Sequence, residues 1–186
     1  MLSMLNPIVK YFWIILQKQF VFVTFCWLLS FFSTEAQHTP ELSNYGVSDY
    51  KAHQQNWGLS QSPDQWMYFA NTDGLLTFNG QQWSKHALPG QKIIRSVYCH
   101  GDKVYTGAFG EFGYWTKDEC DTHFYHSLSD IIPDHSIDKE EIWHIIAIDS
   151  DIYFQSFSVL LRYDGHRMHK VKLPGSVMFL HSVGEK

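Results

Sequence analysis

Three stretches of the chain align on a tyrosine and, ten positions later, on a second ring. In WMYFANTDGLLTFNGQQW the pair is Tyr68 and Phe78. In DKVYTGAFGEFGYWTKDEC it is Tyr105 and Trp115, and in SDIYFQSFSVLLRYDGHRM it is Tyr153 and Tyr163. The tyrosines stand 37 and then 48 residues apart. A turn signal follows each second ring: Asn79-Gly80, the KDE of 117–119, and Asp164-Gly165. A polar turn precedes each tyrosine, at Asp64, at Gly101-Asp102 and over 149–151. A repeat of this length is one supersecondary unit whose apolar face is buried only by stacking on its neighbours.

Asn-Gly and Asp-Gly between apolar runs predict hairpin turns in which both central residues take positive φ. Units of about 40 to 50 residues made only of short strands indicate blades of a β-propeller. The expected fold is therefore all-β: an incomplete β-propeller of about three blades near 57–90, 93–135 and 141–183, preceded by an export signal. LPG recurs at 88–90 and 173–175 and closes the first and third units. SLSDIIPD at 127–134 is expected to hold a short helical turn that lengthens the second. In GAFGEFGYW, residues 107–115, Gly107, Gly110 and Gly113 are expected where an inner strand turns back near the central axis. Phe109, Phe112, Tyr114 and Trp115 then alternate between blade faces. A propeller generally closes with four to eight blades, so the chain reads as the first part of a longer protein whose remaining blades are its partner. Self-pairing is the other way to complete such a ring.

The first 36 residues follow other rules. Lys10 and Lys18 precede the thirteen-residue apolar run FVFVTFCWLLSFF, and Thr34 and Ala36 are the small residues a signal peptidase reads. This divides the chain into a signal peptide at 1–36, a lead-in segment at 37–56 and propeller at 57–186, with cleavage between Ala36 and Gln37. YFWII at 11–15 lengthens the apolar segment, and an uncleaved anchor is the competing reading. Cys26 lies in the signal without the small-residue setting of a lipidation site. Cys99 and Cys120 remain, as a disulfide that export would permit or as two free thiols. The formal charge of −5, with no Lys/Arg cluster, leaves no footprint for direct nucleic-acid binding. Charged residues are only 18% and rings 17%, the reverse of a disordered composition.

Over residues 43–183 the chain resembles the periplasmic sensor propellers of Bacteroidetes regulators. NYGVSDYKAHQQNWGLSQSPDQWMYFANTDGLLTFNGQQW looks like the opening of such a propeller, and GAFGEFGYW and EEIWHIIAIDSDIYFQSFSVLLRYDG are similar to the following blades. In that family, two-component-regulator propeller repeats precede a three-tyrosine domain, a membrane helix, and a LuxR-type helix-turn-helix or a histidine kinase. The resemblance implies an extracytoplasmic sensor for a small molecule or oligosaccharide, on the periplasmic side of the inner membrane. It implies membrane attachment only through the signal or a downstream helix. No ligand-binding residue follows from it, and the chain as given contains none of the family's output modules.

Chemistry offers little competition. His123 and His126 beside Asp121, and His166 and His169, are three apart, a spacing that in a strand sends the rings to opposite faces. They are expected to be solvent-exposed and to hold no metal. The glycines of GAFGEFG join strand to strand, unlike a dinucleotide loop, which joins strand to helix. DKEE at 138–141 reads as a solvated acidic loop, and Trp143 either packs between blades or faces the central channel. No catalytic residue and no cofactor are expected, so the chain is read as no enzyme. The alternatives are part of an exported propeller lyase or hydrolase, or a non-signalling scaffold.

Overall fold

The structure is a computed structural model that describes residues 7–30, 42–132 and 137–181. Two compact units divide it, Met1–Ser43 and Asn44–Lys186. In the first, helix α1 runs over Pro7–Ser30, and its stretch Ile8–Trp27 is long and apolar enough to cross a membrane. Twenty residues at 1.5 Å each span about 30 Å, the thickness of a bilayer core. The helix thus begins well before Phe20 and takes in Lys10, Tyr11–Ile15 and Lys18, so it is longer than the thirteen-residue run. A signal sequence passes the same test, and the expected cleavage site at Ala36 and Gln37 lies outside the described residues.

In the second unit a four-residue helix, α2 (Val47–Tyr50), precedes twelve strands. The first sheet holds β1 (Asn56–Gln61), β2 (Met67–Asn71), β3 (Gly74–Phe78) and β4 (Trp83–His86). The second holds β5 (Ile94–His100), β6 (Lys103–Ala108), β7 (Glu111–Lys117) and β8 (His123–Ser127). The third holds β9 (His144–Ile148), β10 (Asp151–Gln155), β11 (Leu160–Tyr163) and β12 (Met168–Val171). Each is a four-stranded antiparallel meander in sequence order. β5 packs against both β1 and β9, so the first strands lie side by side and the sheets fan outward from them. That is the arrangement of three propeller blades.

The register explains the ten-residue spacing. Tyr68 pairs with Thr77, Tyr105 with Tyr114 and Tyr153 with Arg162, each across a two-residue hairpin. The second ring lies one residue further, opposite Met67, Val104 or Ile152, and therefore on the other face of the blade. Each tyrosine faces the following blade, and each second ring faces the preceding one. One cluster gathers Tyr68, Leu75, Ile94, Val97 and Trp115 between the first two blades. Another gathers Tyr105, Phe112, Phe154, Leu161 and Tyr163 between the second and third. At the ends of the series the rule takes other forms. Phe78 stacks on Trp83 at 4.4 Å and on Tyr45 of the lead-in at 5.1 Å, while Tyr153 is half-buried.

The turns differ from expectation in one respect. Gly80 and Gly165 take positive φ, but Asn79 and Asp164 do not. Their side chains instead accept backbone N–H bonds: Asn79 Oδ1 from Gln81 and Gln82, and Asp164 Oδ1 from His166 and Arg167. Asp118 Oδ1 does the same for Cys120 and Thr122, so one Asx device closes the third-to-fourth-strand hairpin in all three blades. The short helical turn in the second unit is present as a 3-10 turn at Ser129–Ile131.

GAFGEFG also sits elsewhere than expected. It forms the hairpin between β6 and β7, the second and third strands, and the strands nearest the axis are β1, β5 and β9. Gly107 is required because the chain entering the third blade passes over it: a Cβ there would lie 2.5 Å from Ile142 Cγ2 and from Ser96 Oγ. At Gly113 a Cβ would lie 2.1 Å from the His126 carbonyl oxygen. Phe112 and Tyr114 face the third blade and Trp115 the first, as alternation requires, but Phe109 sits exposed at the turn.

Candidate functional site

β1 and β5 each carry a β-bulge near their start, and the register shifts between Asn56 and Gly58 and between Ile94 and Ser96. The residues left over are Trp57 and Arg95. In the third blade Trp143 takes the corresponding place, between Ile142, whose N–H bonds to Ala108 O, and His144, which opens β9; its own N–H bonds to Gln155 O at 2.9 Å. Bulges re-aim side chains, and here they direct Trp57 and Arg95 to the end of the first strands at which Trp143 enters β9.

The three side chains meet. The Arg95 guanidinium lies 3.8 Å from the centre of the Trp57 ring and 5.3 Å from that of Trp143. The two indoles stand 6.2 Å apart, edge to face. Arg95 Nε donates to Glu141 Oε1 at 2.5 Å, in a pair whose side chains are 16% and 20% exposed. Arg95 Nη1 is buried without a partner, and Trp57 Nε1 donates to Thr72 Oγ1 at 3.2 Å. Phe157, half exposed, continues the row of rings 5.7 Å from Trp143. Trp143, His144, Phe157, Met178 and Phe179 line a cavity of about 320 Å³ at this end. Burial, and then the neighbouring His181, push the His144 imidazole below its usual range. Faces for stacking, a guanidinium–carboxylate pair for hydrogen bonding and an open cavity are features that ligand sites combine.

Two expectations change here. Glu140 and Glu141 are not merely a solvated loop: Glu141 holds Arg95, and Glu140 accepts a hydrogen bond from Ser158. Trp143 takes up the alternative in which it faces the axial end. Trp57 and Arg95 were missed altogether. Their signal was a third aligned position, ten or eleven residues before each anchor tyrosine, where Trp, Arg and Trp stand.

The histidine pairs do separate. His126 is exposed and stacks on Tyr114, whereas His123, expected in solvent, is buried at 9% exposure against Tyr68, Trp66 and His86. Its alternation on β8 turns it inward to the first joint. His166 is exposed and His169 bonds to Asp164 at 2.9 Å. Among the described residues no three His, Cys, Asp or Glu side chains converge as a metal site would need. Cys99 is half-buried, Cys120 is exposed, and both are free thiols.

Blade architecture defines the class: three antiparallel four-stranded sheets fanned about their first strands. No family model matches the chain, and no curated protein matches it. Among solved structures it is similar to YCF48 bound to a D1 peptide, at 12% identity and a TM-score of 0.46, over 62% of this chain and 39% of that one. It is also similar to the extracellular domain of BT4673 from B. thetaiotaomicron, at 15% identity and a TM-score of 0.34, over 69% of this chain and 22% of that one. The chain therefore spans well under half the length of either, and at these values neither likeness bears on what it binds or does.

Proposed function

We propose that the chain is the amino-terminal part of an extracytoplasmic propeller that senses a small molecule or oligosaccharide and biases a membrane-spanning transcriptional regulator or two-component sensor. It binds its ligand without transforming it. The observation that carries this reading is the convergence of Trp57, Arg95 and Trp143, one from each blade, beside an open cavity. A ligand bridging them would favour one relative arrangement of the blades, which is the differential contact a sensor needs. The apolar helix α1 supports export or anchoring, and the resemblance of NWGL and FGEFGYW to sensor propellers supports the regulatory context.

The test is calorimetric titration of the detergent-solubilised chain with a panel of oligosaccharides and small metabolites, followed by indole fluorescence. Saturable binding that quenches fluorescence, and that weakens at least tenfold in Trp143→Ala, is the expected result. Cleaved or eliminated products in the titration cell would replace the sensor with an enzyme. Binding that Trp143→Ala leaves untouched would move the site elsewhere.

A further inference from the structure

We propose that the joint between the first and second blades is a proton-sensitive hinge that opens when His86 and His123 become charged. This is separate from the ligand reading above. The two rings lie 4.6 Å apart, centre to centre, inside the joint. His86 comes from the last strand of the first blade and His123 from the last strand of the second, so the contact spans the two blades and nothing else. Hydroxyls able to serve a neutral ring flank both imidazoles: Thr77 Oγ1 lies 3.4 Å from His86 Nε2, and Tyr68 Oη 3.4 Å from His123 Nε2, while the backbone of Asp121 also bonds to His123. The remaining walls are aromatic, with Trp115 at 5.9 Å from His86 and Trp66 at 5.6 Å from His123.

The charged groups around the pair are already committed. Lys117 of β7 sits over Trp66 at 4.3 Å and bonds to Asp64 at 2.8 Å and Asp121 at 3.3 Å. Asp64 and Asp121 are thereby paired with a cation that itself opposes a charge on His123; the Asp121 backbone and the Asp121 and Asp118 carboxylates act the other way, but burial outweighs them. On β5, burial pushes the Cys99 thiol up to about 11, so it brings no negative charge. Neither histidine makes an ion pair among the described residues. Two adjacent imidazoles with no carboxylate bonded to either repel when both are protonated, which disfavours the closed joint.

Burial, and then the neighbouring His123, lower His86 to about 4, and burial chiefly lowers His123. An open joint returns each ring to water and to about 6.5. The open form then binds more protons below pH 6.5, so closure weakens as pH falls from there to the closed-state value. For His86 alone, the open-to-closed ratio rises about thirtyfold between pH 7.5 and pH 5. Opening would also part Trp57 of the first blade from Arg95 of the second, which ties acidity to the axial site.

Cys99, half-buried against the same joint, reports opening, and exposed Cys120 is an internal standard. The full chain in detergent is pulse-labelled with 4,4′-dithiodipyridine, and the ratio of Cys99 to Cys120 labelling rates is followed from pH 7.5 to pH 5. The ratio should rise by one to two orders of magnitude while amide protection of Ile152–Gln155 holds. His86→Gln should flatten the rise, and His126→Gln should not. An unchanged ratio, or loss of protection in β10 in parallel with it, overturns the hinge. If His86→Gln does not fold, the wild-type contrast between Cys99 and β10 still decides.

Discussion

Between the first and second blades the packed surface is built from Tyr68, Trp115, aliphatics including Leu75, Ile94 and Val97, and small residues such as Ala70 and Ala108, with His86 and His123 let into it. Between the second and third it is built from Phe112 and Phe154, 4.6 Å apart, and branched aliphatics including Ile142, Ile152 and Leu161. One pairing rule, a tyrosine from one blade and a ring from the next, produces both. What differs is the filling. The longer spacing before Tyr153 is the cause on one side: it supplies Leu128, Ile132, Ile137 and Ile142 to the core of the second joint. One joint geometry can therefore carry a dry contact in one place and, beside it, one that holds two histidines.

The largest expected effect falls on the dry joint. Phe154 is fully buried, and Phe154→Ala should cost about 3–5 kcal/mol through lost contacts and a residual cavity. Urea unfolding followed by circular dichroism measures it. A cost below about 2 kcal/mol would mean that the second joint is not the stronger one.

The anchor tyrosines sharpen the same contrast along the series. Tyr105 is 5% exposed and sits in a filled joint, whereas Tyr153 faces the far side of the third blade and is half-buried. Tyr105→Ala should cost about 3 kcal/mol and Tyr153→Ala about 1 or less, in the same unfolding assay. Equal costs would mean that Tyr153 has a partner as complete as the one Tyr105 has.

Glycines probe how tightly each joint is filled. A Cβ on Gly107 would strike Ile142 and Ser96 at 2.5 Å, but one on Gly58 would meet Arg95 O, Val97 and Ala70 at 3.9–4.0 Å, ordinary contact. Gly107→Ala should destabilise by about 1–3 kcal/mol. Gly58→Ala should stabilise by about 0.5 kcal/mol, because the unfolded chain loses freedom and the folded one loses nothing. Thermal melts of both variants check the signs, and a destabilising Gly58→Ala would mean that the first joint has no room for a methyl at Gly58.

The blades were legible in the sequence because Tyr68, Tyr105 and Tyr153 keep one register relation to the rings ten positions on, and a hairpin of fixed length turns sequence spacing into geometry. The places of the turns were legible for a related reason, since Asn and Asp act locally, but their Asx bonding was not expected. The axial site was not. Trp57 and Arg95 owe their positions to bulges, which add one unpaired residue, and their alignment ten or eleven positions before the anchor tyrosines pairs Trp with Arg, so residue type did not reveal it. His123 was misplaced because its neighbour His86 is 37 residues away, and burial of that kind is decided by the packing of two blades and not by either strand alone.

The smallest effect separates two sources of acid sensitivity at the first joint. Asp64 is half exposed. Burial opposes its charge, yet hydrogen bonds from Lys117 and Ser62 outweigh that and hold the carboxyl below the usual range. A lowered carboxyl contributes stability that is complete above its unfolded value, near 4, and is lost as pH falls from there through its lower folded value. The histidines act earlier, from pH 6.5 downward. Asp64→Asn should therefore cost less than about 1 kcal/mol at pH 7, since an exposed partner is screened by water. It should leave the change between pH 6.5 and pH 5 in place, removing only part of the further loss below pH 4. Unfolding midpoints across that range make the comparison. Should Asp64→Asn instead abolish the change above pH 5, the Lys117 ion pair, and not the histidine contact, would be what acid breaks.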